Sequence, residues 1–402
     1  MKKTPSLTRR RAIVIAVSLT GVVLALLVQF RISGPQTPYL DTPPGWPVAA
    51  PTKDLPGGLN SFHLAALPTY LSPNDYARIT AYATEAYHRT RWERGGDASE
   101  AHSAFVITVN TLMKDPDFVK FMPEVSGSLG EEVATEVLAE ANQDGYEQAD
   151  IFPRRWLSPL DIVGDREEYS WRPPYGYGSE VETAWGTLRT HSGSRCDVPP
   201  PPVKTIEELR VAAASTLSSV EAYNEHPDIW RINTIVSSWT GGWVLRSDPV
   251  RIWLQTAANV ADDAGLSENT RDRMLRDTAR AIHDALIESW RGKYTHLLVH
   301  PNSMFPTRTI SPAVPLGPSY PSEHAAVASA VATVIDHYAP KTPVRVELAG
   351  SLTHLPTTRV LVDSEAAARE AADAALLLGL VYPFDLDAGT VLGRCVAAAV
   401  IS

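Results

Sequence analysis

Apolar residues recur at helical spacing over most of this chain, and only one short region alternates as strands do. Ser72-Pro73-Asn74-Asp75 is a start signal for a helix that carries Tyr76, Ile79, Tyr82, Ala86 and Tyr87 on one side. Similar periodicity predicts helices over Ala98 to Lys114 and Gly130 to Asp144. It returns over Thr205 to Tyr223, Pro227 to Ser238, Asp248 to Ala264 and Ser267 to Tyr294. The last of these bears an apolar stripe, Leu275, Ala279, Ile282, Leu286 and Trp290, and ends around Lys293. Ser322 to Tyr338 is nearly all Ala and Val on its apolar faces, which permits close helix packing. Val344 to Leu348 and Thr358 to Val362 alternate like a short hairpin, and helices over Ser364 to Leu380 and Asp387 to Val400 complete the pattern. The sum is an all-α bundle with at most one small β-hairpin.

Two regions depart from that pattern. Residues 151–203 hold Trp156, Trp171, Trp185, repeated prolines and the run Pro199 to Pro202, and read as a long irregular strap. Such a segment would count against a compact domain on its own. Its tryptophans are more often packing that holds loops down than a ligand site. At the other end of the chain, Lys2, Lys3, Arg9, Arg10 and Arg11 precede Ala12 to Phe30, nineteen residues without charge. At 1.5 Å per residue such a helix spans about 28 Å, close to one hydrocarbon core. The reading is a basic cytoplasmic tail (1–11), a single-pass anchor (12–30), a Pro/Gly-rich linker (31–56) and an extracytoplasmic domain (57–402). A cleaved signal is the competing reading, and Arg9-Arg10-Arg11 also suits twin-arginine export.

Composition narrows the partners. The chain has 402 residues, 44% hydrophobic, enough for a large core behind the anchor. A net charge of −10, with no basic stripe beyond the N-terminus, argues against nucleic acid. The two cysteines, Cys196 and Cys395, can pair after export, although their distance in sequence lends no geometric support.

The chemistry concentrates in Ser319-Tyr320-Pro321-Ser322-Glu323-His324. Ser322 stands where an N-cap belongs, ahead of free N–H groups and the positive end of a helix dipole, which suits an anion. His324 is placed to exchange a proton with a group bound there. Taken alone, such a motif is more often a capped helix with an exposed histidine. Upstream lie Lys293 and His300-Pro301, and downstream Val381-Tyr382-Pro383-Phe384-Asp385.

These three blocks, in this order and spacing, resemble the superfamily of vanadium-dependent haloperoxidases and type 2 phosphatidic acid phosphatases, closest to its bacterial haloperoxidase-like branch. The resemblance covers residues 285–400. It implies a helical bundle of the haloperoxidase/acid phosphatase type, a Trp/Pro-rich strap, and often dimerisation, so a homodimer is among the expected partners. It also implies a site in which a lysine, two arginines and backbone N–H groups hold phosphate or vanadate while a third-block histidine attacks phosphorus or ligates vanadium.

Carried over by position, Lys293, His300, Ser322 and Glu323 form the anion-binding set, and His324 with Lys293 the catalytic pair. Asp385 stands where family members orient the missing histidine; here it is expected to cap the following helix or meet Arg394. The departures are severe. His300 replaces an arginine, Glu323 a glycine, and Ala374, Ala375 and Val381 the serine, arginine and histidine of the third block. Each lost charge-assisted contact costs roughly 1.5–3 kcal/mol, so two arginines are worth about two to four decades of anion affinity. Valine can neither ligate vanadium nor act as a nucleophile. Vanadate, the cofactor of intact relatives, is therefore not expected; Glu323 paired with Lys293 would fill the anion site, and an unpaired Glu323 displaced into solvent is equally allowed. His296 and His300, four apart, have a spacing that can serve zinc, but loop histidines that bind nothing are the preferred reading, and no metal site is expected.

The favoured expectation is an exported, membrane-anchored protein of bacterial type whose phosphate/vanadate site is degraded, either non-catalytic or with a changed ligand. The alternative is a phosphatase or haloperoxidase-type enzyme that uses Lys293, His300, Ser322 and His324 without the third-block histidine. An intermediate possibility is acid–base chemistry by His324 and Lys293 with no covalent intermediate.

Overall fold

The computed structural model describes residues 72–113, 128–146, 170–171, 185–193, 195–240, 249–304, 317–348 and 357–402. The expected tail, anchor and linker, the start of the exported domain and Trp156 all lie outside these residues. Among the described residues, no helix is long and apolar enough to cross a membrane.

The elements are helical with one two-stranded sheet. In chain order they are α1 (Pro73–His88), α2 (Ala98–Met113), α3 (Ser128–Ala141), α4 (Ile206–Asn224), α5 (Ile229–Thr240), α6 (Pro249–Asp263) and α7 (Glu268–His296). Then follow α8 (Glu323–Tyr338), β1 (Val344–Leu348), β2 (Thr357–Leu361), α9 (Ser364–Leu377) and α10 (Pro383–Val400). The strands pair antiparallel with Val346 opposite Arg359.

Capping chemistry sets several of the starts. Ser72 caps α1 through a bond from the Asp75 N–H (3.1 Å), ahead of a proline at the first turn. Thr205 and Glu208 form a reciprocal capping box on α4. The C-terminal helix begins at Pro383, four residues before the sequence places it, because Asp385 accepts the Tyr382 N–H and closes the first turn. This shift moves Asp385 from ahead of the helix into its first turn, where it still serves the cap. At the other boundary α7 runs on to His296, so His296 sits in the last helical turn rather than in the following loop.

Helix α7 is the axis of the bundle, packed by α1, α6, α8 and α10. Its predicted stripe is buried: Ala279 and Ile282 are wholly covered, and Leu275, Leu286 and Trp290 nearly so. Val327, Val331, Val334 and Ile335 of α8 and the indoles of Trp239 (α5) and Trp253 (α6) join the same core. Burial of this kind is worth about 1.5–3 kcal/mol for each large apolar side chain.

The strap is pinned from several directions. The Trp171 N–H donates to the Leu297 carbonyl at 2.6 Å, and its ring meets Tyr294 edge-on. Trp185 is buried against His283, Arg291 donates to the Gly186 carbonyl at 2.8 Å, and Asp284 accepts the N–H groups of His191 (2.8 Å) and Ser192 (3.0 Å). Further along, Cys196 and Cys395 form a disulfide with a Cα–Cα distance of 6.1 Å, so the strap is bonded to α10. The pairing the sequence leaves open is thus made by the fold.

The tightest helix contact lies between α8 and α10. A Cβ on Gly389 would stand 2.3 Å from the Ser322 carbonyl oxygen, and one on Gly393 only 2.1 Å from that of Ala326. Ala325, Ala326 and Ser329 supply the small surface opposite. Ser329 also donates to the Thr390 carbonyl at 3.1 Å.

Two outcomes follow from this packing. Gly393→Val forces two helix backbones apart and should cost at least 1–3 kcal/mol in denaturant unfolding, the usual range for overpacking being about that size. Opening the Cys196–Cys395 bond, which spans 199 residues, should lower stability by roughly 5 kcal/mol on the loop-entropy model. A Cys196→Ser, Cys395→Ser protein unfolded alongside the parent measures the difference.

Candidate active site

The site forms where the end of α7, the segment before α8 and the start of α10 meet. Ser322 has extended backbone (φ −71°, ψ 116°) and caps α8, its Oγ accepting the Ala325 N–H at 3.3 Å. Its own N–H donates to the Asp385 carbonyl at 3.1 Å, which joins the two helix starts. The Tyr320 hydroxyl donates to the Pro199 carbonyl at 2.7 Å, and Gly292 lets α7 approach Pro321, since a Cβ there would lie 2.7 Å from Pro321 Cδ.

Lys293 lies in the last turn of α7 and is 2% exposed. Its Nζ reaches Glu323 Oε2 at 2.7 Å and donates to the carbonyls of Pro318 (2.7 Å) and Ser319 (2.9 Å). An ammonium has three N–H donors, and all three are engaged. Of the two arrangements the sequence allows for Glu323, the ion pair with Lys293 is the one present. Burial works against the Glu323 carboxylate, but Lys293 and then His324 outweigh it and hold its pKa down to about 2.

His300 is buried with both ring nitrogens against backbone carbonyls. Nδ1 faces Leu380 O, and Nε2 lies 2.6 Å from Gly317 O. Burial and the Lys293 charge push its pKa down to about 4, against the pull of the two carbonyls. In either protonation state its polar edges are turned to backbone, so it presents no donor to an oxyanion. The same geometry removes it from any shared metal site with His296, which instead contacts the Val198 carbonyl (3.3 Å) and the Tyr320 ring. No cluster of three His, Cys, Asp or Glu arranged to hold a metal occurs among the described residues.

Asp385 is wholly buried. Its Oδ2 accepts the Ser319 hydroxyl and the Tyr382 N–H (2.9 Å), while Oδ1 has no hydrogen-bond partner. Burial pushes its carboxyl up to about 7 despite those bonds. Of the two roles expected for it, the cap is observed and the cation partner is not, because Arg394 pairs with Glu365 at 3.0 Å. Ala374, Ala375 and Val381 are all buried apolar positions. Val381 contributes only its carbonyl, which accepts from the Thr216 hydroxyl at 3.2 Å.

His324 is the outermost member. Its Nδ1 is 3.6 Å from Glu323 Oε1 and makes no hydrogen bond. It faces a cavity of about 220 Å³ lined among the described residues by Trp239, Trp253, Trp290, Leu286 and Glu323. Periodicity placed Trp290 on the core stripe of α7, Trp239 and Trp253 had no part in the sequence reading, and nothing local marked any of the three as a cavity wall. Ser319 is the other residue that sequence reasoning left without a role, although it stands inside the motif.

Asp385 supplies a pH signature. Its folded pKa lies above the ordinary 3.8, so the folded state keeps a proton that the unfolded chain releases. The stability this gives is complete below about 3.8 and is lost as pH rises through 7, at up to about 1.4 kcal/mol per unit. Asp385→Asn removes that loss. Urea unfolding from pH 4 to 8 should show the variant gaining on the parent as pH rises; parallel curves would contradict the buried-proton reading.

No protein-family model and no curated protein matches this sequence. Solved structures do match. The chain is similar to the structure described as the first bacterial vanadium-dependent iodoperoxidase, with a TM-score of 0.71 at 17% identity, over 85% of this chain and 94% of that one. It is similar to the apo form of a bacterial vanadium-dependent chloroperoxidase, with a TM-score of 0.62 at 12% identity, over 85% of this chain and 98% of the other. The holo form matches with a TM-score of 0.61, also at 12% identity, over 86% and 97%. At these identities it is the fold that is shared, and the described chain has the all-α fold of the bacterial vanadium-dependent haloperoxidases.

Proposed function

We propose that this is an exported, membrane-anchored protein of haloperoxidase fold whose oxyanion site is closed, so that it neither holds vanadate nor transfers phosphate. One observation carries the reading: every donor of Lys293 is taken, by Glu323 and two carbonyls. A tetrahedral oxyanion would have to displace the half-buried Glu323 carboxylate from the buried Lys293 ammonium, whose donors are otherwise all taken. The other family positions support it, since His300 is turned to backbone and Val381 offers no lone pair. The residues present do not fit vanadate. The uncharged run 12–30 behind a cationic flank supports the anchor, and the disulfide supports an oxidising compartment.

Calorimetric titration with orthovanadate and with phosphate tests the closure. The parent protein should show no saturable binding at micromolar concentration, and Glu323→Gly combined with Ala375→Arg and Val381→His should restore it. Micromolar binding to the parent would overturn the proposal. A second reading rests on His324, whose unpartnered Nδ1 beside Glu323 and a cavity suits proton transfer without a covalent intermediate. Turnover of a phosphomonoester or of halide and peroxide, abolished by His324→Ala, would favour it.

A further inference from the structure

Closure of the anion site leaves the cavity outside it with an altered character. Its walls are the indoles of Trp239, Trp253 and Trp290 with Leu286, and its polar floor is Glu323 with His324. Glu323 spends Oε2 on Lys293, while Oε1 lies 3.6 Å from His324 Nδ1, and the side chain is 28% exposed. That carboxylate stays ionised throughout the neutral range. His324 Nδ1 is buried without a hydrogen-bond partner. The Lys293 charge is turned inward to the Pro318 and Ser319 carbonyls, so no ammonium donor is left over for the cavity. Among the described residues the floor is thus a charged acceptor beside the His324 imidazole, under faces of aromatic rings.

Such a combination selects for one ligand chemistry. Indole faces carry negative potential and attract cations, and an exposed carboxylate oxygen accepts from an ammonium. The Trp290 ring already lies 5.8 Å from one cation, Lys293 Nζ. A carboxylate or phosphate ligand would meet Glu323 with like charge, and a plain hydrocarbon would leave Oε1 without a donor. At about 220 Å³ the cavity holds the liquid-volume share of roughly seven waters, at about 30 Å³ each. A ring with a short tail fits, and a polymer does not.

We propose that this cavity is a binding site for a small primary organic ammonium with an apolar or aromatic body, its charge on Glu323 Oε1 and its body among Trp239, Trp253 and Trp290. The proposal rests on the closed anion site described above, because an open site would place an oxyanion where the ammonium must sit.

The test is calorimetric titration of the full chain with 2-phenylethylammonium, its uncharged analogue 2-phenylethanol and the anion phenylacetate, with orthovanadate in parallel. The ammonium should bind saturably, the alcohol at least tenfold more weakly, and the anion not at all. Glu323→Gln should weaken the ammonium at least tenfold. Because that change also strips Lys293 of its partner, Ala371→Phe provides the second variant: Ala371 of α9 also lines the cavity, so the ring fills it without touching a charge and should abolish binding while the protein still melts cooperatively. Equal binding of alcohol and ammonium, binding of phenylacetate, or an unaffected Ala371→Phe protein would overturn the proposal. If neither vanadate nor ammonium binds, the closed site stands and only this inference falls. If vanadate binds the parent at micromolar level, both fall.

Discussion

The structure around the site depends on one requirement: a buried ammonium must find three acceptors. Lys293 is carried into the interior by the last turn of α7, a helix whose position is set by its apolar stripe. No water-exposed route remains for its charge, and leaving it unpaired would cost several kcal/mol. The acceptors come from two other parts of the chain, the carbonyls of 318 and 319 and the carboxylate that opens α8. One side chain therefore fixes the end of α7, the entry to α8 and the first turn of α8 relative to one another.

The neighbouring polar groups follow the same logic. His300 is lodged between two carbonyls, Asp385 takes a hydroxyl and a backbone N–H while closing the first turn of α10, and Ser322 links α8 to α10 through that residue's carbonyl. Each group that resembles a ligand of an oxyanion is instead used to join one element to another. Glycines at 389 and 393 bring the two helices close enough for this, at contact distances no side chain would tolerate. The core has kept the haloperoxidase arrangement while the polar groups at its centre point at the protein itself.

On the proposed closure of the anion site, the cavity over His324 differs in kind from an oxyanion pocket. Guanidinium forks would make its floor a set of donors. A carboxylate that shares its other oxygen with a lysine makes the floor an acceptor. The walls are shared with the core, because Trp239 and Trp253 belong to the same cluster as the α7 stripe. Stability and ligand selection are accordingly built from the same side chains.

Much of this was legible in the chain. Helix periodicity placed the bundle and the hairpin to within a few residues, since an apolar stripe at 3.6-residue spacing is a local property with one good solution. The motif blocks located Lys293, His300, Ser322, Glu323, His324 and Asp385, and the opposite charges of Lys293 and Glu323 already suggested their pairing. Three things were not legible. The α10 start was misplaced because its cap depends on a carboxylate, Asp385, whose other partner, Ser319, is 66 residues away. The partners of Cys196 and the His300 ring were set by chain crossings that no local spacing encodes. The tryptophans around the cavity carry the same periodic signal as any core residue, so only their convergence in space distinguishes a wall from a filling. Sequence alone determined which elements form and which residue types stand at the motif positions, because those are properties of local pattern and side-chain type. Tertiary structure alone decided what the surviving polar groups bond to, because a hydrogen bond depends on positions to within a fraction of an ångström between segments that meet only after folding.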